Sequence, residues 1–223
     1  MSATRLPHGY TNDTTRLGGV VTKRYQGPDA AGRQAREAAV LHAVAGRLPV
    51  PPVLGTGAGG LRLGLLPGRP GQDLIGDGLA GPVLRACGQM LRQIHDVGPE
   101  HWPDGWAGQP GQVLVHGDYG PNNVLLDPRG GPVTAVLDWE WAHAGYPVED
   151  LAWCEWIVRM HHPAQAGALG GLFGGYGWRP PWRLRHRVML ARHRELIGFC
   201  ERWSPDRAGL WQDRLAVTAT WTG

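Results

Sequence analysis

The sequence predicts an α+β protein in two lobes, a minimal strand-rich N-terminal lobe and a mainly helical C-terminal one. Three observations predict it. Short apolar runs parted by Gly-rich turns fill much of the first 66 residues, helical apolar stripes dominate from about Gly81 onward, and a strand–loop–strand pattern interrupts them between Val113 and Leu137. A chain of 223 residues is long enough to bury one core shared by two lobes, which we divide at 1–66 and 67–223.

In chain order, Gly9-Tyr10-Thr11-Asn12-Asp13-Thr14 reads as a polar, Gly-led turn, and Val20 to Tyr25 as an apolar strand after the turn Leu17-Gly18-Gly19. Pro28 to Gly46 reads as a helix with Asp29 near its start, broken by Pro49-Val50-Pro51-Pro52. Val53-Leu54 and Leu61 to Leu66 look like two strands around a turn from Gly55 to Gly60, and Pro67 to Gly71 like a hinge. A helix from Gly81 to Val97 has Pro82 in its first turn and an apolar stripe of Leu84, Cys87, Leu91 and Ile94, with His95 as a core or capping residue. Val148 to Met160 is a helix carrying Trp153 and Trp156. These read first as core, and alternatively as a box that stacks a base or a quaternary ammonium. The Gly-rich stretch 164–177 reads as a loop, and 182–203 and 206–220 as closing helices.

Composition narrows the class. No run is long and apolar enough to span a bilayer, and the first residues lack the basic start and apolar stretch of a signal peptide. Cys87, Cys154 and Cys200 are odd in number and widely spaced, which predicts buried free thiols in a reducing cytoplasm. Nine arginines between Arg179 and Arg214 face only Glu195, Glu201, Asp206 and Asp213. Without a nucleic-acid-binding motif beside them, they read as a solvated helix face, so neither a nucleic-acid nor a membrane partner is expected.

The chemistry is concentrated in His116-Gly117-Asp118, Asn123 and Asp138. Val113 to Val115 runs into the loop as a strand, Val124 to Leu126 leaves it, Asp127 to Gly131 turns, and Val133 to Leu137 returns. Such a hairpin brings Asn123 and Asp138 together at one end. The spacing is that of a phosphoryl-transfer loop, in which one carboxylate accepts a hydroxyl proton while an Asn oxygen and a second carboxylate hold Mg²⁺ against a nucleoside triphosphate. Lys23 adds an independent signal as the only lysine beside twenty-one arginines. A surface charge is served by either type, so a lone lysine marks a place where a compact ammonium is required.

On His116-Gly117-Asp118-Tyr119-Gly120-Pro121-Asn122-Asn123, Leu137-Asp138-Trp139-Glu140 and Glu149-Asp150-Leu151-Ala152, the chain resembles the aminoglycoside phosphotransferase and choline-kinase-like small-molecule kinases over about residues 9 to 160. The resemblance implies a protein-kinase-like two-lobe fold and transfer of the γ-phosphate of ATP or GTP, with Mg²⁺, to a small hydroxylated acceptor such as an antibiotic, sugar or nucleoside. It assigns Asp118 as catalytic base, Asn123 and Asp138 as metal ligands, and Lys23 and Glu37 as the phosphate-binding pair. It also places Thr11, Asn12 and Asp13 over the nucleotide and Leu65 and Leu66 beside the adenine. His116 becomes a scaffold residue, and Asp150 braces the loop or caps its helix. Glu140, Glu149 and Glu155 are the few acids to meet a cationic acceptor, so a neutral or anionic one is equally expected. Two alternatives stand beside this reading: a metal-dependent hydrolase using His116, Asp118 and Asp138, and a catalytically dead nucleotide-binding module.

Overall fold

The computed structural model describes Thr4, Arg5 and residues 12–223. Five antiparallel strands form the first sheet, in the order β1 (Thr4–Arg5), β2 (Asn12–Leu17), β3 (Val20–Tyr25), β5 (Gly60–Gly64), β4 (Val53–Gly57). Helix α1 (Ala30–Ala43) packs on β3, β4 and β5. Its buried face includes Ala38, Val40 and Leu41 together with two charged residues, Arg33 and Glu37. Asn12 to Thr14, expected as a turn, belong to β2, with Thr14 opposite Lys23. The tight Gly18-Gly19 turn closes this hairpin, so the polar residues before it are drawn into the ladder. Thr11 lies outside the described residues.

The expected hinge is itself structured. Arg69–Pro70 forms β6 and pairs with β8 (Val124–Leu126), which pairs in turn with β9 (Val133–Val136). A short helix, α2 (Gly71–Gly76), follows β6, and α3 (Ala80–His95) comes next. β7 (Val113–Val115) pairs with β10 (His143–Gly145) rather than with the hairpin. The C-terminal part continues with α4 (Val148–His161), α5 (Gly170–Tyr176), α6 (Trp182–Glu201) and α7 (Pro205–Ala219). One apolar core runs from Ala38 and Leu41 of α1 through Leu84 and Leu91 of α3 to Phe173 of α5. A second, aromatic core joins α4 and α6 through Trp153, Trp156 and Met189.

Residues 164–177 are not a loop. Pro163–Leu169 forms a 3₁₀ segment and then α5, which lies flat against α3. Glycine permits this close approach, where it would normally weaken a helix. A Cβ on Gly88 would sit 2.1 Å from the Leu172 carbonyl oxygen, and one on Gly175 would sit 2.3 Å from that of Arg85. Gly88→Ala is therefore expected to force α5 off α3 and destabilise the fold by about 1–3 kcal/mol, measurable by urea denaturation. An unchanged midpoint would show that the two helices can separate without cost. Cys87, Cys154 and Cys200 are buried free thiols, as expected, and burial pushes the Cys87 thiol up to about 12.

Candidate active site

The hairpin places the catalytic-type residues as its spacing requires. Val124 pairs with Val136, and the Leu137 amide donates to the Asn123 carbonyl oxygen at 2.8 Å. Asn123 and Asp138 therefore leave the same end of the ladder. Asp138 has a φ of 66°, a left-handed conformation that is uncommon outside glycine and persists where the surroundings hold it. Gly117 has a φ of 82°, and a Cβ there would meet the Trp141 carbonyl oxygen at 2.4 Å. Any larger residue, including the Arg that protein kinases carry at this point, would displace the loop.

The loop is anchored from behind. The Asp150 carboxylate accepts from the amides of His116 at 2.8 Å and Gly117 at 2.9 Å, and bonds His95 Nε2 at 3.1 Å. His95 in turn bonds the Tyr176 hydroxyl on α5. Asp150 thus braces the loop and does not cap α4, which has no side-chain cap. Although burial alone would raise it, the bond from His95 and the nearby His116 hold the Asp150 carboxyl below the usual carboxylate range. His116 Nδ1 accepts from the Asp118 amide at 3.2 Å, so Nε2 carries the proton and donates to the Leu137 carbonyl at 2.9 Å. Burial lowers the imidazole's pKa and keeps the ring neutral, while the engagement of both ring nitrogens in these hydrogen bonds removes His116 as the metal ligand a hydrolase would need.

Asp118 accepts from Asn123 Nδ2 at 2.9 Å on Oδ2 and from the Trp153 indole N–H at 2.7 Å on Oδ1. Burial first, and the neighbouring Asp138 second, push its pKa up to about 7. Trp153, Arg192 and Asn123 oppose that shift. Sequence reasoning placed Trp153 in the core. It does stack on Trp156, with ring centroids 4.3 Å apart, but its N–H also reaches the carboxylate. Only the packing of α4 on the loop reveals that contact. The Asn123 amide nitrogen also bonds the Asp118 carbonyl, which leaves its oxygen as the atom to offer a cation.

Across from the hairpin, Lys23 Nζ lies 2.6 Å from Glu37 Oε2 and contacts Asp138 Oδ1, with Glu140 at 3.9 Å. Burial alone would depress the ammonium. Asp138, Glu37 and Glu140 overcome it and raise the pKa well above the ordinary lysine value, so the charge persists at any working pH. Glu37 also accepts from the Tyr25 hydroxyl.

Three expected assignments need correction. Asn12 does not point at a phosphate position, because its Nδ2 donates to both Glu140 oxygens at 3.0 Å. Arg33 completes that buried cluster at 2.7 Å from Glu140. Asp13 sits opposite Arg24 within the β2–β3 ladder, its carboxylate 3.9 Å from that guanidinium, rather than in a covering turn. At the expected adenine contact, the Leu65 amide is already spent on the Gly19 carbonyl at 2.9 Å. The turn between β2 and β3 captures it, which leaves Leu66 as the available residue of the two. The acids proposed to meet a cationic acceptor are also engaged. Glu140 is held by Arg33, Glu155 by Arg185 and Arg159, and Glu149 by His143.

A small antiparallel sheet with a buried lysine–glutamate pair, set over a helical body that opens on such a hairpin, is the fold of the kinase-like phosphotransferases. The sequence model of the phosphotransferase enzyme family matches residues 2–111 and 99–190, and the chain belongs to that family. Among solved structures, the GDP complex of aminoglycoside 2′-phosphotransferase-IIIa matches with a TM-score of 0.77 at 14% identity, covering 98% of this chain and 92% of that one. The macrolide 2′-phosphotransferase of Brachybacterium faecium matches at 0.65 and 20% identity, covering 100% and 93%. At such identities the likeness is one of fold. Curated relatives match over shorter stretches. Acyl-CoA dehydrogenase family member 11 of Gallus gallus is 43% identical over 42 residues, 19% of this chain and 5% of that protein. Hygromycin-B 4-O-kinase of Escherichia coli is 31% identical over 110 residues, 44% of this chain and 28% of that one. The chain therefore matches only a small part of the length of these curated relatives. Among the described residues, no helix is long and apolar enough to cross a membrane.

Proposed function

We propose that this chain is a small-molecule kinase that transfers the γ-phosphoryl group of ATP or GTP to a hydroxyl of a small acceptor, such as an antibiotic or another hydroxylated metabolite. The observation that carries the reading is the meeting of Lys23 on β3 and Glu37 on α1, both buried, with the half-buried Asp138 from the hairpin, in one ion-pair cluster. A hydrolase has no use for that cluster. A dead module has no reason to keep Asp118 beside it with a pKa near neutrality, which is where a general base is most effective.

In this reading, Asp118 orients the acceptor hydroxyl and takes its proton. Each of its oxygens accepts one hydrogen bond from the protein and keeps a second lone pair. Lys23 supplies a fixed positive charge for the nucleotide phosphates. Asn123 and Asp138 offer the hard oxygen donors that suit Mg²⁺, and carboxylate oxygens of Glu37, Asp138 and Glu140 lie within 4.8 Å of one another. When bound, the ion offsets phosphate charge. The deciding experiment is a screen of hydroxylated antibiotics and metabolites for a Mg²⁺-ATP-dependent mass gain of one phosphate. ATP hydrolysis without any phosphorylated product across a broad set would count against the reading.

Two further results are expected. Asn123→Ala should strip Mg²⁺-dependent nucleotide binding, whereas Asn122→Ala, whose side-chain oxygen is buried without a hydrogen-bond partner, should do much less. If the Asn122 variant is the inactive one in Mg²⁺ titrations, the metal register is wrong. Trp153→Phe keeps the stacking but removes the N–H that stabilises the ionised Asp118. The acidic limb of kcat/KM should then move upward from about pH 7, by roughly 0.5–1 pH unit. A lowered rate with an unmoved pH profile would make Trp153 merely structural.

A further inference from the structure

Resting on the kinase reading above, we propose that the acceptor is an uncharged hydroxylated molecule with a broad apolar face, seated in the cleft between α4 and α6. This cleft of about 710 Å³ opens beside the catalytic loop at Gly117, a volume suited to a drug-sized ligand. Trp153, Trp178, Tyr146, Leu184 and Val188 line it. Tyr146, Trp178 and Leu184 are 48%, 44% and 37% exposed, and they gather at this one opening. Large apolar side chains left to water together mark a surface that is covered in use. Trp153 joins the apolar wall to the chemistry, since its N–H holds Asp118.

Charge decides the rest. Both carboxylates lining the cleft already have partners, Glu149 in a hydrogen bond with His143 at 2.9 Å and Glu195 in an ion pair with Arg192 at 3.0 Å. Arg192 also donates to the Gly117 carbonyl, which sets a guanidinium between the cleft and the loop. A polyamine would have to compete with His143 and Arg192 for those carboxylates and approach that guanidinium, whereas a neutral ring system displaces only water from Trp178 and Tyr146. The aromatic faces provide the area, and the paired charges at the rim remain paired.

The test is calorimetric titration of the full chain, without nucleotide, against three probes. These are 2-naphthyl β-D-glucopyranoside, methyl β-D-glucopyranoside with the same sugar and no apolar face, and kanamycin as a polycation. The naphthyl glucoside is expected to bind at least about tenfold more tightly than either of the others. Trp178→Ala should weaken it about five- to tenfold and leave the thermal shift by Mg²⁺-ATP unchanged. Absence of naphthyl glucoside binding, equal affinity for the two glucosides, tighter binding of kanamycin, or indifference to Trp178→Ala would each overturn the proposal. The kinase reading fails differently. A missing thermal shift with both Mg²⁺-ATP and Mg²⁺-GTP, with the probe order intact, would sink the kinase and leave the preference of the cleft standing.

Discussion

Asp118→Asn is expected to slow phosphoryl transfer by about 10²–10⁴-fold while Mg²⁺-nucleotide binding survives, the range typical of a positioned base. Asparagine fills the same space and can still accept from Trp153 through its oxygen. Its amide nitrogen would then face the Asn123 Nδ2 that donates to the carboxylate, so Mg²⁺-nucleotide binding is measured alongside to separate the proton-accepting step from a disturbed Asn123. Stability should move the other way. The folded-state pKa of about 7 lies above the ordinary carboxylate value, so ionising Asp118 costs the fold. That cost is full above about pH 7, shrinks as pH falls, and vanishes below about pH 4, where the group is protonated folded or unfolded. Allowing for its partial exposure, the substitution should gain about 1 kcal/mol at pH 8, roughly 2–4 °C in Tm, and almost nothing at pH 4. Unchanged turnover would move the base elsewhere, and an equal Tm gain at both pH values would remove the electrostatic explanation.

Lys23 should be the most sensitive position for fold and activity together. Lys23→Ala leaves Glu37, Asp138 and Glu140 facing one another with no ammonium between them. Breaking a buried pair in this way costs on the order of 3–5 kcal/mol, and loss of the phosphate contact should cost a further 10²–10³-fold, roughly, in rate. Lys23→Arg should also be damaging, because a planar guanidinium cannot take the place of a point-like ammonium between Glu37 and Asp138. A fully active arginine variant would show that the site needs a positive charge but not a compact ammonium. Lys23 is only 6% exposed, so mass-mapped acylation should find it slow both with and without added nucleotide.

Much of the site was legible because its logic is local. Asn123 and Asp138 flank one hairpin, Asp118 lies on the loop that leads into it, and the β-pattern on either side of the turn at Asp127 puts Asn123 and Asp138 at the same end. The lone lysine was legible for a different reason: in an arginine-rich chain, composition itself singles it out. Residues whose partners lie far along the chain were not legible. Asn12 reads as a loop polar group until Glu140, 128 positions away, is seen to take its amide. Glu140 and Glu155 read as available acids until Arg33 and Arg185 are found against them.

The same division explains the helices. Periodicity and proline positions placed α1, α3, α4, α6 and α7 to within a few residues, because an apolar stripe is a property of the local chain. The glycine-rich stretch that becomes α5 carried the opposite local signal. It is helical because Gly88, Gly171 and Gly175 let two backbones meet, and that gain exists only once α3 is there to be met. Order along the chain thus determined the fold class, the hairpin and the catalytic-type residues. Tertiary packing alone decided which carboxylates are neutralised, that Trp153 serves Asp118, and that the cleft beside them is apolar, because charge pairing and burial depend on partners that no sequence spacing reveals.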